Sequence, residues 1–202
     1  MSDSPQSDKP HYVKQSFPLS ASHRWKAAPG YNILVADAGA VRFEYPHGWV
    51  VKPQPNGNLQ LHDKEPPADE CRITMTVFRL PPLANGSWED LPLDELMHKV
   101  AVVREKGKKN RKHEKGRKQI SGAVLVRRPD LSYAWSESSW IDPENGKTIL
   151  CRQMLARARG VQPLITFDYY VSRAEDFRPV WEHMAATLRL GTPVNLLGDV
   201  TN

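Results

Sequence analysis

No apolar run in this chain approaches the roughly 18 residues that a membrane-spanning helix needs. Only two cysteines occur, Cys71 and Cys151, and neither belongs to a C-x-x-C pair, so a zinc or dithiol motif has no local support. Both sit in strand-like runs and read as small buried hydrophobes with reduced thiols. G-x-S-x-G, phosphate-loop glycines and H-E-x-x-H are all missing, which removes the motif-based cases for hydrolase, nucleotide and zinc-protease chemistry. No metal or cofactor is indicated. The first residues lack the charged-then-apolar pattern of a secretory signal, so the expected localisation is cytoplasmic.

What is present is an ordinary globular balance, 40% apolar and 25% charged over 202 residues, enough for one core. The net charge of +5 is unevenly spread. Segment 104–118 holds nine cations, Arg104, Lys106, Lys108, Lys109, Arg111, Lys112, Lys115, Arg117 and Lys118, against Glu105 and Glu114. That segment alone carries +7, which leaves the remainder at −2. The protein is a near-neutral domain bearing one cationic loop.

Residues 1–30 contain six serines and four prolines without helical or strand period, and read as an extended or disordered arm that can cling to the domain through Phe17 and Trp25. Residues 31–191 read as one domain, and 192–202 as a C-terminal tail. Strands are expected at 32–36, 41–45, 49–51, 58–61 and 71–80, the last with Cys71, Ile73, Met75 and Val77 on one face. A helix follows, capped by Ser87 or Asp90, with Leu93, Leu96, Met97, Val100 and Val103 on its buried side. Four further runs, 122–128, 131–141, 148–157 and 164–171, are joined by connectors of hairpin length, which predicts an antiparallel meander. A final helix carries Phe177, Val180, Trp181, Met184 and Leu188. It is expected to start near Asp176, so that Pro179 falls in the first turn, and to run to about Leu190. The fold class is therefore α+β, a central antiparallel sheet flanked by helices.

The stretch Phe43-Glu-Tyr-Pro46-His-Gly48-Trp49 and the closing helix Phe177-Arg-Pro-Val-Trp181-Glu-His-Met184-Ala-Ala-Thr-Leu188 carry a family pattern. Over residues 41–191 the chain resembles the superfamily of PsbP, the Ran-binding Mog proteins and bacterial DcrB-like proteins. The serine- and proline-rich arm and the basic segment depart from that pattern. The resemblance implies an α/β/α sandwich and binding rather than catalysis, since members mostly dock other proteins. It supplies no catalytic set.

The candidate sites follow. Serines on the seventh expected strand suggest a partly open sheet face, on which Tyr133, Trp135, Trp140, Tyr169 and Tyr170 would form a half-exposed docking patch; packing under the N-terminal arm is the rival. The nine cations of 104–118 are candidates for anion binding, against a solvated loop as the alternative. His113 is the only ring among them, so base stacking and sequence-specific readout are not expected. His47 is expected to fix the Pro46–Gly48 bend, and His183 to lie off the buried face. The carboxylate pairs Glu89-Asp90, Asp94-Glu95 and Glu175-Asp176 fall where helices begin and suit the helix dipole. The expected function is a non-enzymatic protein-binding adaptor or chaperone-like module with an unidentified protein partner. Weak polyanion contact through the basic loop is one alternative, and an enzyme with an unrecognised site is another.

Overall fold

The computed structural model describes residues 14–15, 24–106 and 118–191, with the side chains of 101–106 excluded. Among the described residues the strands are β1 (Tyr31–Ala36), β2 (Val41–Pro46), β3 (Val50–Pro53), β4 (Leu59–His62), β5 (Cys71–Arg79), β6 (Lys118–Arg127), β7 (Ser132–Ile141), β8 (Thr148–Arg157), β9 (Val161–Tyr170) and β10 (Arg189–Leu190). Two α-helices accompany them, α1 (Leu93–Lys106) and α2 (Ala174–Thr187).

Seven strands form one sheet in the order β3-β4-β5-β9-β8-β7-β6, antiparallel throughout. The meander β6–β9 is as expected from its turn-rich connectors. Between β8 and β9, Arg159 and Gly160 both have positive φ, the primed geometry whose twist matches a two-residue hairpin. The connection from β5 through α1 to β6 crosses the sheet, and the meander then returns so that β9 lies beside β5. This makes the order non-sequential without a parallel pair.

Strand alternation divides the sheet into two faces. On one, the register row Trp135, Met154, Ile165, Met75 and Leu59 runs across five strands, flanked by Phe167, Ile73 and Leu61. Helix α2 packs there with Phe177, Trp181, Met184 and Ala185 buried, the 3-and-4 spacing of a single helix face. Phe167 is the hub. Its ring centroid lies 6.1 Å from Trp49, 5.0 Å from Tyr169, 6.0 Å from Phe177 and 6.3 Å from Trp181. On the opposite face α1 buries Leu93 and Met97 against Ala134 and Leu155.

Three expectations need correction. The first two strands do not join the main sheet: β1, β2 and β10 form a separate three-stranded sheet that shares the core under α2. The main sheet's edge at β3 is short and contains Pro53, which offers no donor to a further strand. Helix α2 begins at Ala174, directly after a 3-10 turn at Val171–Arg173, so Pro179 lies inside it. Arg173 stands at the N-cap without a side-chain cap, its own guanidinium held by Asp176 at 2.6 Å and by Glu70. Burial of Phe177 and Trp181 on either side of Pro179 outweighs the lost backbone bond. The helix stops at Thr187, because Leu188 turns extended (ψ 131) and hands the chain to β10.

The C-terminal carbonyls of α2 are capped from a distance. Arg128, in the β6–β7 turn, donates from Nη1 to Ala185 O (2.7 Å) and from Nη2 to Leu188 O (3.0 Å). Its Nε and Nη2 also donate to Asp130 at 2.9 and 2.6 Å. A cation at the negative end of a helix satisfies orphan acceptors and the dipole together. Burial on its own would raise the Asp130 carboxyl, but hydrogen bonding and charge from Arg128, with Arg189 beyond, hold it below its ordinary value near 3.8.

A depressed carboxyl contributes stability above its unfolded value and loses it as pH falls through the folded one. Asp130→Asn is therefore expected to lower the melting temperature at pH 7. The gap to wild type should begin to narrow below about pH 4, the ordinary value, and close as the pH falls through the lower folded one. A gap that persists unchanged at pH 3 would show that Asp130 acts through shape rather than charge.

Candidate functional site

The five aromatic residues expected to make a docking patch are divided by strand alternation. Tyr133, Trp135 and Tyr169 project to the α2 face, while Trp140 and Tyr170 project to the α1 face. Tyr169 (1% exposed) and Trp140 (8%) are buried, and Trp135 meets Trp181 edge-on at 6.5 Å. The serines did not mark an open face. Ser136 and Ser138 are buried on the side α1 covers, in a polar row that includes Gln153 and Thr166. Tyr133, Trp135 and Tyr170 keep partial exposure, and Tyr170 is held by Asn145 (2.8 Å) and overlain by Lys147. No single patch joins the five.

Of the nine candidate anion-binding cations, Lys118 is exposed at the start of β6. Arg104 and Lys106 lie in the last turn of α1, with side chains outside the described residues. Lys108, Lys109, Arg111, Lys112, Lys115 and Arg117 lie outside them entirely, as does Phe17. Trp25 does contact the domain, lying 4.1 Å from the Arg42 guanidinium.

Cys71 and Cys151 are not joined by a disulfide and are buried on opposite faces of the sheet. Burial pushes the Cys71 thiol up, and the nearby Asp63 charge adds to that, which favours the unreactive thiol form. The Pro46–Gly48 bend is held by backbone bonds, His47 N to Gly30 O at 2.9 Å among them, while the His47 side chain is exposed. His183 is half-buried rather than free of the core. It pairs with Glu44 at 2.8 Å and stacks on Tyr31 at 3.9 Å, joining α2 to β2.

A feature that sequence reasoning missed lies in the loop 80–92. Pro81, Pro82, Leu83 and Leu91 are all exposed there, and Phe78 is exposed on β5 just before it. An apolar loop in water is ordinarily mobile. This one is fastened from inside by Arg157, which is only 3% exposed. Its Nη1 donates to Leu91 O at 2.8 Å and to Trp88 O, and its Nε and Nη2 both donate to Gln162 Oε1 at 2.8 and 2.7 Å. Gln162 is in turn the register partner of Phe78. Burial lowers the Arg157 guanidinium from its ordinary value, and the Glu89 charge works against that shift.

The loop also closes on itself. Trp88 Nε1 donates to Pro81 O at 2.6 Å, and Ser87 with Asp90 forms a capping box around a 3-10 turn at Trp88–Asp90. The Ser87 hydroxyl, ahead of the Glu89 backbone amide, holds the Glu89 carboxyl below its ordinary value. Apolar tips are thereby presented on a fixed frame with Glu89, Asp90, Asp94 and Glu95 at its margin. The sequence signal was an arginine at an inward strand position, in Met154-Leu-Ala-Arg157-Ala158, where an apolar residue would be expected.

The architecture, an antiparallel sheet between α1 and the α2 layer, is a PsbP/Mog-like α+β fold. Cyanobacterial PsbP (CyanoP) from Synechocystis sp. PCC 6803 superposes with a TM-score of 0.57 at 14% identity, over 82% of this chain and 95% of that one. The Saccharomyces cerevisiae Ran-binding protein Mog1p gives 0.50 at 10% identity, over 79% and 95%. At such identities the likeness establishes the fold alone. By sequence, residues 32–194 match the Alr1449 family model, and the chain belongs to that family. The uncharacterized protein alr1449 of Nostoc sp. (strain PCC 7120) is 33% identical over 183 residues, covering 89% of this chain and 88% of its own length.

Hydrogen bonds to a charged group contribute about 1.5–3 kcal/mol each, so losing the Arg157 fork should release the loop. Arg157→Lys keeps the charge but cannot reach two carbonyls and an amide together. Limited proteolysis read by mass spectrometry is expected to show cleavage within 80–92 at least tenfold faster than in wild type. An unchanged rate would mean that the loop is held by something else.

Proposed function

We propose that this protein is a non-enzymatic binding module that docks a folded protein through the fixed apolar loop 80–92 and the adjoining Phe78. The observation carrying this reading is that Phe78 (44% exposed), Leu83 (38%) and Leu91 (42%) surround a frame fastened by a buried arginine. Such a frame has already met the ordering cost that a mobile loop would pay on association. The acidic margin favours a partner whose apolar contact is ringed by basic side chains. The Ran-binding role of Mog1p is in keeping with a protein-binding use of this fold, though it belongs to that protein.

Burying two leucines at the lower end of their transfer range is worth about 3 kcal/mol, roughly a hundredfold in Kd. The double variant Leu83→Ser, Leu91→Ser, whose side chains are exposed, is expected to keep the wild-type melting temperature. With a photo-crosslinking residue at Pro82, wild type should capture one partner stoichiometrically and the double variant should not. Equal capture by both would sink the docking surface. Capture unaffected here but lost on Tyr170→Ala would return the site to the meander.

A second reading is weak polyanion contact through residues 104–118, favoured by nine cations against two carboxylates. Deleting residues 106–118 should then bring elution from heparin to lower salt without changing the melting temperature. Unchanged elution would leave those charges a role in solvation only.

A further inference from the structure

A second site lies at the small sheet, away from the apolar loop. The register of β10 on β2 sets Arg189 directly opposite Arg42. Like charges directly across an antiparallel pair are destabilising, so the arrangement calls for a counter-charge. Arg189 has one at hand. Its Nε lies 3.5 Å from Asp130, and its Nη1 donates to Ala186 O and Leu188 O.

Arg42 is served differently. Its Nη1 is buried without a hydrogen-bond partner. The nearest acid on its own strand face, Glu44, is committed elsewhere through Oε2, which accepts from Ala28 N at 3.0 Å and pairs with His183 at 2.8 Å. Trp25 lies against the guanidinium plane at 4.1 Å and fixes it in place. Burial, then the Arg189 charge, lower the Arg42 guanidinium from its ordinary value, with Glu44 opposing. The crowding of the two cations therefore outweighs the relief that Glu44 offers.

Around this pair is a cleft of about 210 Å³, with Arg24 and Lys26 exposed at its rim and Thr187 at its side. The carbonyls at the end of α2 would repel an anion, but Arg128 and Arg189 already occupy them. Arg24, Lys26, Arg42 and Arg189 line this space with Glu44, and Asp130 stands beside Arg189. A monocarboxylate offers only two acceptor oxygens to these forked donors. A doubly charged tetrahedral oxyanion has the charge, and its several acceptor oxygens suit forked guanidinium donors.

We propose that this cleft binds a small phosphate-bearing molecule, its dianionic phosphate seated between Arg42 and Arg189 under Trp25, with Arg24 and Lys26 at the mouth. The site lies on the β1-β2-β10 sheet, so it stands or falls separately from the docking loop. Its ligand class is a free phosphate or a small phosphate monoester.

The test titrates the full chain with inorganic phosphate, glycerol 3-phosphate and acetate, against sodium chloride at matched ionic strength, read by calorimetry and thermal shift. Saturable binding of phosphate or glycerol 3-phosphate, at least tenfold tighter than acetate, is expected. Tighter binding of the ester than of inorganic phosphate would identify a phosphorylated small molecule as the ligand, and the reverse would identify free phosphate. Arg42→Gln should weaken binding tenfold or more, while deletion of residues 106–118 should leave it unchanged. If Arg42→Gln does not fold, the rim variants Arg24→Gln and Lys26→Gln decide, each expected to weaken binding about threefold. Acetate binding as tightly as phosphate, chloride reproducing the effect, or variants without effect would each overturn the proposal.

Discussion

The packing of aromatic rings around Phe167 is the contact on which the rest of the molecule depends. It joins the bend after β2 through Trp49, the central strand β9, and α2 through Phe177 and Trp181. Rings in tilted and edge-on contact add about 0.5–1.5 kcal/mol per pair beyond the area they bury. Because those rings come from both ends of the domain, the cluster also fixes where the small sheet lies on the large one. The cleft of Arg42 and Arg189 exists only because β10 leaves α2 at that position and pairs with β2.

Around this apolar centre, arginine is used repeatedly to end or fasten backbone. Arg128 caps α2, Arg157 holds the loop 80–92, and Arg152 pairs with Glu137 at 2.6 Å while lying 5.4 Å from the Trp135 ring. Arg128 and Arg157 each serve several acceptors at once, which a point-charge ammonium could not do. A domain with long connections and few helices has many orphan carbonyls, and planar forked donors satisfy them economically. Arg42 departs from this use, with a donor left unmatched among cations.

Much of the scaffold was legible. The alternation in Cys71-Arg-Ile-Thr-Met75 and the hairpin-length connectors specify β5 and the meander, since side chains of neighbouring strand residues point to opposite faces. The misreadings have physical causes. Ser136 and Ser138 suggested openness by polarity, yet both are buried, on the face against which α1 packs. Pro179 argued for a later helix start by backbone propensity, which is weaker than the burial of Phe177 and Trp181 around it. Arg157 looked like one more strand cation, because its acceptors lie 66 and 69 residues away.

Sequence alone determined what short-range sterics govern: which segments extend, where they turn, which residues of a strand share a face, and that one stretch concentrates positive charge. Tertiary structure decided what depends on distant partners: the division into two sheets, the burial of the serine face, the fastening of the apolar loop, and the pairing of Arg42 with Arg189. The reason is range. Alternation and turn chemistry act over a few residues and leave a trace in the sequence, whereas a cross-strand neighbour is set by the packing of the whole domain and leaves none.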